Sequence, residues 1–164
     1  MDFGKRLIVI SLVLAGCLGV DRTTKAIAQA RLSRHESHSF LGDTVRLQLA
    51  NNKGAFLSLG ASLPEFWRQM LFNGFTGVIL LGLLGYALFS RTASPSVVFA
   101  IALFFAGGVS NLVDRLLYHG HVVDFLNMGI GPLRTGVFNL ADVCIMAGAV
   151  ILAVTASMEK KNSP

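Results

Sequence analysis

The sequence predicts an all-α integral membrane protein, a four-transmembrane-helix bundle with a small β-sheet between helices 1 and 2. Three observations lead there. The 164 residues are 53% hydrophobic and only 14% charged, with a mean hydropathy of +0.62. That hydropathy gathers in four separable runs, residues 7–20 (extendable through 26–30), 66–89, 97–117 and 137–158. Between the first two runs lies the one sizeable polar stretch, and it carries a period-two pattern. A span needs about 20 apolar residues to cross ~30 Å of hydrocarbon, a length the last three runs reach. The first run is interrupted by Asp21 and reads as a span with a polar outer turn or as a signal sequence. Little chain is left for a soluble domain. Residues 1–164 are therefore expected to form a single membrane domain, with helices at about 5–30, 66–89, 96–117 and 137–158 and a sheet at about 31–63.

Helix 1 opens with Lys5 and Arg6, and Lys160 and Lys161 follow the last run, as cytoplasmic anchors would. Arg31, Arg34, Arg46 and Lys53 in the first loop oppose that vote, so charge alone leaves orientation open. An even number of spans places both termini on one side. Leu14-Ala15-Gly16-Cys17 has the form of a lipoprotein processing box. Small residues are common in membrane helices and the other spans make a lipid anchor redundant, so the string reads as part of helix 1. Cys17 and Cys144 lack CxxC partners, which argues against disulfide or zinc chemistry. The net charge of +5 is scattered rather than striped, which excludes nucleic acid as a partner.

In the first loop, Val45, Leu47 and Leu49 alternate with Arg46 and Gln48 as in a strand. Asn51-Asn52-Lys53-Gly54 reads as a turn, and residues 55–59 as a returning strand, so that a small sheet lies on the membrane surface. Pro64 and Pro95 stand near span starts, where the missing N–H costs nothing. Gly74, Gly77, Gly82 and Gly85 in the second span, and Gly107 and Gly108 in the third, would let helices approach closely. Residues 118–136 read as a loop holding His119, His121, Asp124 and a glycine-rich patch.

Asp124 and Asp142 stand out, lying beside or inside runs where a lipid-facing carboxylate costs roughly 2.5–3.5 kcal/mol. Asn111, Asp114 and Arg115 share one helical face late in span three, and Asn139 and Asp142 share one early in span four. Asp21 and Lys25, four residues apart at the end of span one, reach the same level after two crossings. Two nearby carboxylates hold one proton between them, so one takes a proton from water while the other donates to a carbonyl oxygen. For Asp114 and Asp21 the simpler reading is pairing with Arg115 or Lys25. For Asp124 and Asp142, flanked by asparagines, it is catalysis. His35-Glu36-Ser37-His38 lacks zincin spacing, and Gly108-Val109-Ser110-Asn111 lacks the glycine of a rhomboid serine site. A metal on His119, His121 and Asp124 and an ion-coupled transporter are the remaining rivals; clustering at one face argues against the transporter.

Five motifs in order resemble those of bacterial lipoprotein signal peptidase, the type II signal peptidase. They are Asp21-x-x-Thr24-Lys25, Asn52-x-Gly54-Ala55-Phe56, Gly107-Gly108-x-x-Asn111-x-x-Asp114-Arg115, Val123-Asp124-Phe125 and Phe138-Asn139-x-Ala141-Asp142. The resemblance runs from span one to span four. It implies an aspartic endopeptidase without cofactor or metal. Asp124 and Asp142 would be the catalytic dyad, and Asn52, Gly54, Asn111, Arg115 and Asn139 would line the site, with Asp21, Lys25 and Asp114 in support. The implied substrates are diacylglyceryl prolipoproteins, cut before the lipidated cysteine by a monomer held in membrane lipid. It also implies a multi-pass protein of the bacterial inner membrane, with the sheet and site at the periplasmic face and both termini cytoplasmic. Family members often show Asn-x-Gly-Ala-Ala-Phe, whereas this chain has one residue fewer before Phe56.

Overall fold

The computed structural model describes residues 1–52, 64, 66–67 and 70–161. Four long helices follow one another: α1 (Phe3–Arg31), α2 (Phe75–Phe89), α3 (Pro95–Leu117) and α4 (Leu140–Lys161). Among the described residues, α1, α3 and α4 are long and apolar enough to cross a membrane. The second span differs from the expected uninterrupted helix. Among the described residues, a π-helical turn at Met70–Gly74 leads into the 15-residue α2. Asn73 and Gly74 are weak helix formers, and a wider turn is tolerated there.

Ser94 caps α3 by accepting the Val97 N–H at 3.4 Å, and Pro95 occupies the first turn, where its ring pre-sets the backbone. This helix is the most buried, through Val98, Ala100, Ile101, Ala102, Ala106, Gly107 and Gly108, and α1, α2 and α4 all pack on it. Lipid supplies no hydrophobic drive between helices, so close backbone approach has to bind them. A Cβ on Gly107 would run into the Ala141 carbonyl oxygen, and one on Gly148 would lie 2.5 Å from the Ala100 carbonyl oxygen. The glycines of α2 and of its entry turn behave otherwise. A Cβ on Gly74, Gly77, Gly82 or Gly85 would meet nothing within 4 Å among the described residues, so these do not mediate the helix contacts expected of them.

Helix α1 begins at Asp2, whose carboxylate accepts the Lys5 N–H at 2.9 Å. Arg6 is no solvated anchor, being 4% exposed. Its guanidinium donates to the Ala87 carbonyl at 2.7 Å, the Ala93 carbonyl at 3.2 Å and the Met1 carbonyl at 3.1 Å. A cation thus closes the C-terminal end of α2, where free carbonyls collect. Cys17 lies mid-helix in α1, so the processing-box string is uninterrupted helix.

The sheet is antiparallel and four-stranded, in the order β1 (His38–Phe40), β2 (Val45–Asn52), β3 (Val122–Ile130) and β4 (Leu133–Arg134). Among the described residues, β1 and β2 come from the α1–α2 connection. The stretch read as a loop after α3 instead supplies β3 and β4, and it carries Asp124 as a strand residue. Val122 through Phe125 are all buried, so no apolar–polar alternation marks that strand. The anticipated return strand at 55–59 lies outside the described residues. Register runs Val45↔Met128 to Leu47↔Leu126, then shifts and resumes at Ala50↔Asp124. The shift is a bulge in β2, and it places Asn52 on the same face as Asp124.

Candidate active site

Beyond the bulge, Asn52 Nδ2 donates to Asp124 Oδ2 at 3.2 Å. From the other side Asn139 Nδ2 donates to Asp124 Oδ1 at 2.6 Å. Asn139 precedes Leu140 and so caps α4. Its Oδ1 accepts the Asp142 N–H at 3.0 Å, and Asp142 Oδ2 accepts the Asn139 N–H at 3.1 Å. This reciprocal pairing has the logic of a capping box, with a carboxylate at the third helical position. It fixes Asp142 in the first turn of α4, where free N–H groups and the helix dipole favour negative charge.

Asn111 on α3 joins the two carboxylates. Its Oδ1 accepts from Lys25 Nζ at 3.2 Å and from Asn139 Nδ2 at 3.1 Å. An ammonium only donates, so the amide nitrogen of Asn111 has to face the other way. It donates to Asp142 Oδ1 at 2.8 Å. Asn111 and Asn139 therefore bridge Asp124 and Asp142 with every amide orientation set by its neighbours. Burial, and then the charge of Asp142, push the Asp124 carboxyl up from 3.8 to about 7, against the pull of the Asn139 and Asn52 amides and of Lys25.

Behind the bridge lies a cluster of four charges. Lys25, 2% exposed, donates to Asp21 Oδ2 at 2.7 Å, to Asp114 Oδ2 at 2.8 Å and to Asn111. Asp21 also accepts Ser110 Oγ at 2.6 Å and the Ala141 N–H at 2.9 Å, tying α1 to α3 and to the start of α4. Asp114 accepts the Val123 N–H at 3.1 Å and pairs with Arg22. Two carboxylates thus meet two cations, and each proton of the buried ammonium has an acceptor, the condition that makes such burial tolerable.

Asp21, Lys25, Asn52, Asn111, Asp114, Asp124, Asn139 and Asp142 all come together here; Gly54 lies outside the described residues. The expected partnership of Asp114 with Arg115 gives way to Lys25 and Arg22, because neighbouring helical residues do not face each other. Arg115 stands half-buried with its charge felt by Asp142, Asp124 and Asp114. Arg22 escaped the sequence reading, and Ser110 was weighed there only as a serine nucleophile, not as a partner of Asp21. Arg22 carried one available signal, a charged residue next to Asp21 at the end of a span. His121 Nδ1 lies 2.7 Å from the Tyr118 carbonyl, and His119 is exposed. Among the described residues, no three His, Cys, Asp or Glu side chains are grouped to hold a metal ion.

Fold and site together define a multi-pass membrane protein with two asparagine-bridged carboxylates at one end of its helices. The family of signal peptidase (SPase) II, peptidase A8, matches residues 8–158, and the chain belongs to that family of proteases. It is 30% identical over 159 residues to the lipoprotein signal peptidase of Syntrophus aciditrophicus (strain SB), covering 96% of this chain and 98% of that one. With the lipoprotein signal peptidase of Pelotomaculum thermopropionicum it shares 37% identity over 142 residues, 87% of each chain. The fold matches that of a solved bacterial membrane enzyme with a TM-score of 0.79 at 24% identity, covering 98% of this chain and 92% of that chain.

Proposed function

We propose that the protein is a membrane aspartyl endopeptidase that removes signal peptides from diacylglyceryl prolipoproteins, cutting before the lipidated cysteine. One observation carries this reading: Asn111 and Asn139 bridge two carboxylates placed on different elements. Family membership supplies the substrate class. Asp142, fed by two N–H donors, acts as base and takes a proton from the attacking water. Asp124 holds its proton near neutrality and gives it to the scissile carbonyl oxygen, forming a neutral diol. On collapse, Asp142 returns its proton to the leaving nitrogen and Asp124 recovers one from the diol. Asn52 and Arg115 line the approach for the substrate backbone, and Gly54 belongs to the same stretch of sequence.

The substrate's diacylglyceryl chains stay in the bilayer and hold the scissile bond at the depth of the dyad. This fits a bacterial inner-membrane protein, monomeric and four-spanning, with α2 and its π-turn as the second span. The sheet and site would face the periplasm and both termini the cytoplasm.

The test is cleavage of a diacylglyceryl prolipoprotein by purified protein in detergent. Asp124→Asn and Asp142→Asn should each lose at least ~10³-fold in kcat while eluting as folded protein. Cleavage retained by either variant would sink the dyad.

A further inference from the structure

Cys17 and Cys144 take no part in the chemistry above, yet the fold brings them together. Asp21 on α1 accepts the Ala141 N–H of α4 at 2.9 Å. The two helices run in opposite directions at that joint. Four residues back along α1 from Asp21 stands Cys17, and three residues on from Ala141 stands Cys144. Both steps amount to about one helical turn, ~5.4 Å, toward the middle of the bundle. Ile145, the next residue, packs on Gly107 of α3, which leaves Cys144 for the α1 side. The two thiols are neighbours across the α1–α4 contact. Each is free and only partly buried, within reach of a small apolar reagent.

We propose that Cys17 and Cys144 are a dithiol modification site, closing into a disulfide that staples α1 to α4 beneath the site and slows the enzyme. The oxidant is an organic disulfide, RSSR. One cysteine thiolate attacks a sulfur of RSSR and expels RS⁻, giving a mixed disulfide. The second cysteine thiolate attacks the protein sulfur of that bond and expels the other RS⁻. The two thiol protons leave with the two RSH formed, so the protein loses two hydrogens and RSSR is reduced. Closure draws the neighbouring sulfurs to a bond of ~2.05 Å and moves α1 against the first turns of α4. That turn carries Asp142 and is held by Asp21. A displacement of ~1 Å at a reacting group costs up to ~100-fold in rate. The effect on rate rests on the dyad reading; formation of the bond does not.

The probe is 2,2′-dithiodipyridine, an apolar aryl disulfide, added to the purified full chain in detergent. The expected result is release of two thiopyridone per protein, an intact mass two hydrogens lighter, and a Cys17–Cys144 cross-linked peptide. The rate of prolipoprotein cleavage should fall about tenfold and recover on reduction with a phosphine. Cys17→Ala and Cys144→Ala should cleave at the unmodified rate, and each should stop at the mixed disulfide. The wild-type mass shift is read without any variant, so a variant that fails to fold does not block the test. Two stable mixed disulfides per chain, or cross-links between chains only, would overturn the site. A closed disulfide with an unchanged cleavage rate would overturn the switch.

Discussion

Asn139 and Asp142 hold each other at the start of α4: each side chain accepts the other's backbone N–H, at 3.0 and 3.1 Å. A carboxylate proposed for catalysis thereby also serves as part of a helix cap. The same Asn139 reaches Asp124 through its amide nitrogen, so one side chain sets the position of both acids. Structure and chemistry are not separable at this residue.

Asn139→Ala should therefore fail in two measurable ways. Losing the cap costs about 1 kcal/mol of stability, read as a lower Tm in detergent. Losing the amide to Asp124 should lower kcat by about 10² or more with little change in KM. A fall in Tm with kcat intact would assign Asn139 to folding alone.

The elevated Asp124 carboxyl makes a signed prediction about pH. Its value of about 7 lies above the ordinary 3.8, so the fold favours the protonated form. The stability this contributes is fully present below pH ~4 and is lost as pH rises through about 7. Asp124→Asn cannot ionise, so its Tm advantage over wild type should widen between about pH 4 and about pH 7 and then level off. Wild-type kcat should fall as pH rises past about 7, because Asp124 then no longer has a proton to give. A flat Tm difference from about pH 4 to about pH 7 would count against the elevated value.

Lys25→Met leaves Asp21 and Asp114 buried without their shared cation. Breaking a buried ion pair by removing one partner costs about 3–5 kcal/mol, enough to reduce the yield of folded protein sharply. Adding Asp21→Asn should recover part of the loss, because Asp114 keeps Arg22. Thermal unfolding of the single and double variants measures both. A double variant no better than the single one would show that charge is not the cause.

Gly107→Ala inserts a methyl where the Ala141 carbonyl already stands. Overpacking of this kind costs about 1–3 kcal/mol, and the displaced residue is next to Asp142. Both Tm and kcat should drop. Gly82→Ala, whose Cβ meets nothing within 4 Å among the described residues of the structure, should leave kcat unchanged and hold or slightly raise Tm.

The helices α3 and α4 were legible because their length and apolar character agree with those of spans, and Pro95 marks the start of α3. The convergence of Asp21, Asn111, Asp142 and their neighbours was legible too, since an alternating path through the membrane returns span ends to one face. Strand β3 was not. Val122 and Val123 are buried on either side of the chain, so the alternation that marks a half-exposed strand is missing. Arg22 was hidden for a different reason, its partner Asp114 lying 92 residues away. Periodicity speaks only of neighbours. Spacing within α1 was enough to pair Asp21 with Lys25, but which cations meet Asp114 depended on helix rotation, which no spacing within one helix reveals.

The bulge in β2 imposes an arithmetic of its own on this chain. From Leu47 to Ala50 the strand takes three residue steps where β3 takes two from Leu126 to Asp124, so one residue is absorbed without a change of face. Removing that one residue would restore regular pairing and keep Asn52 facing Asp124. Removing two would make Leu47 and Ala50 neighbours on opposite faces and turn Asn52 away from the carboxylate. The bulge is thus a length buffer of a single residue, and natural or designed relatives of the chain can lose it without losing the asparagine's hold on the acid.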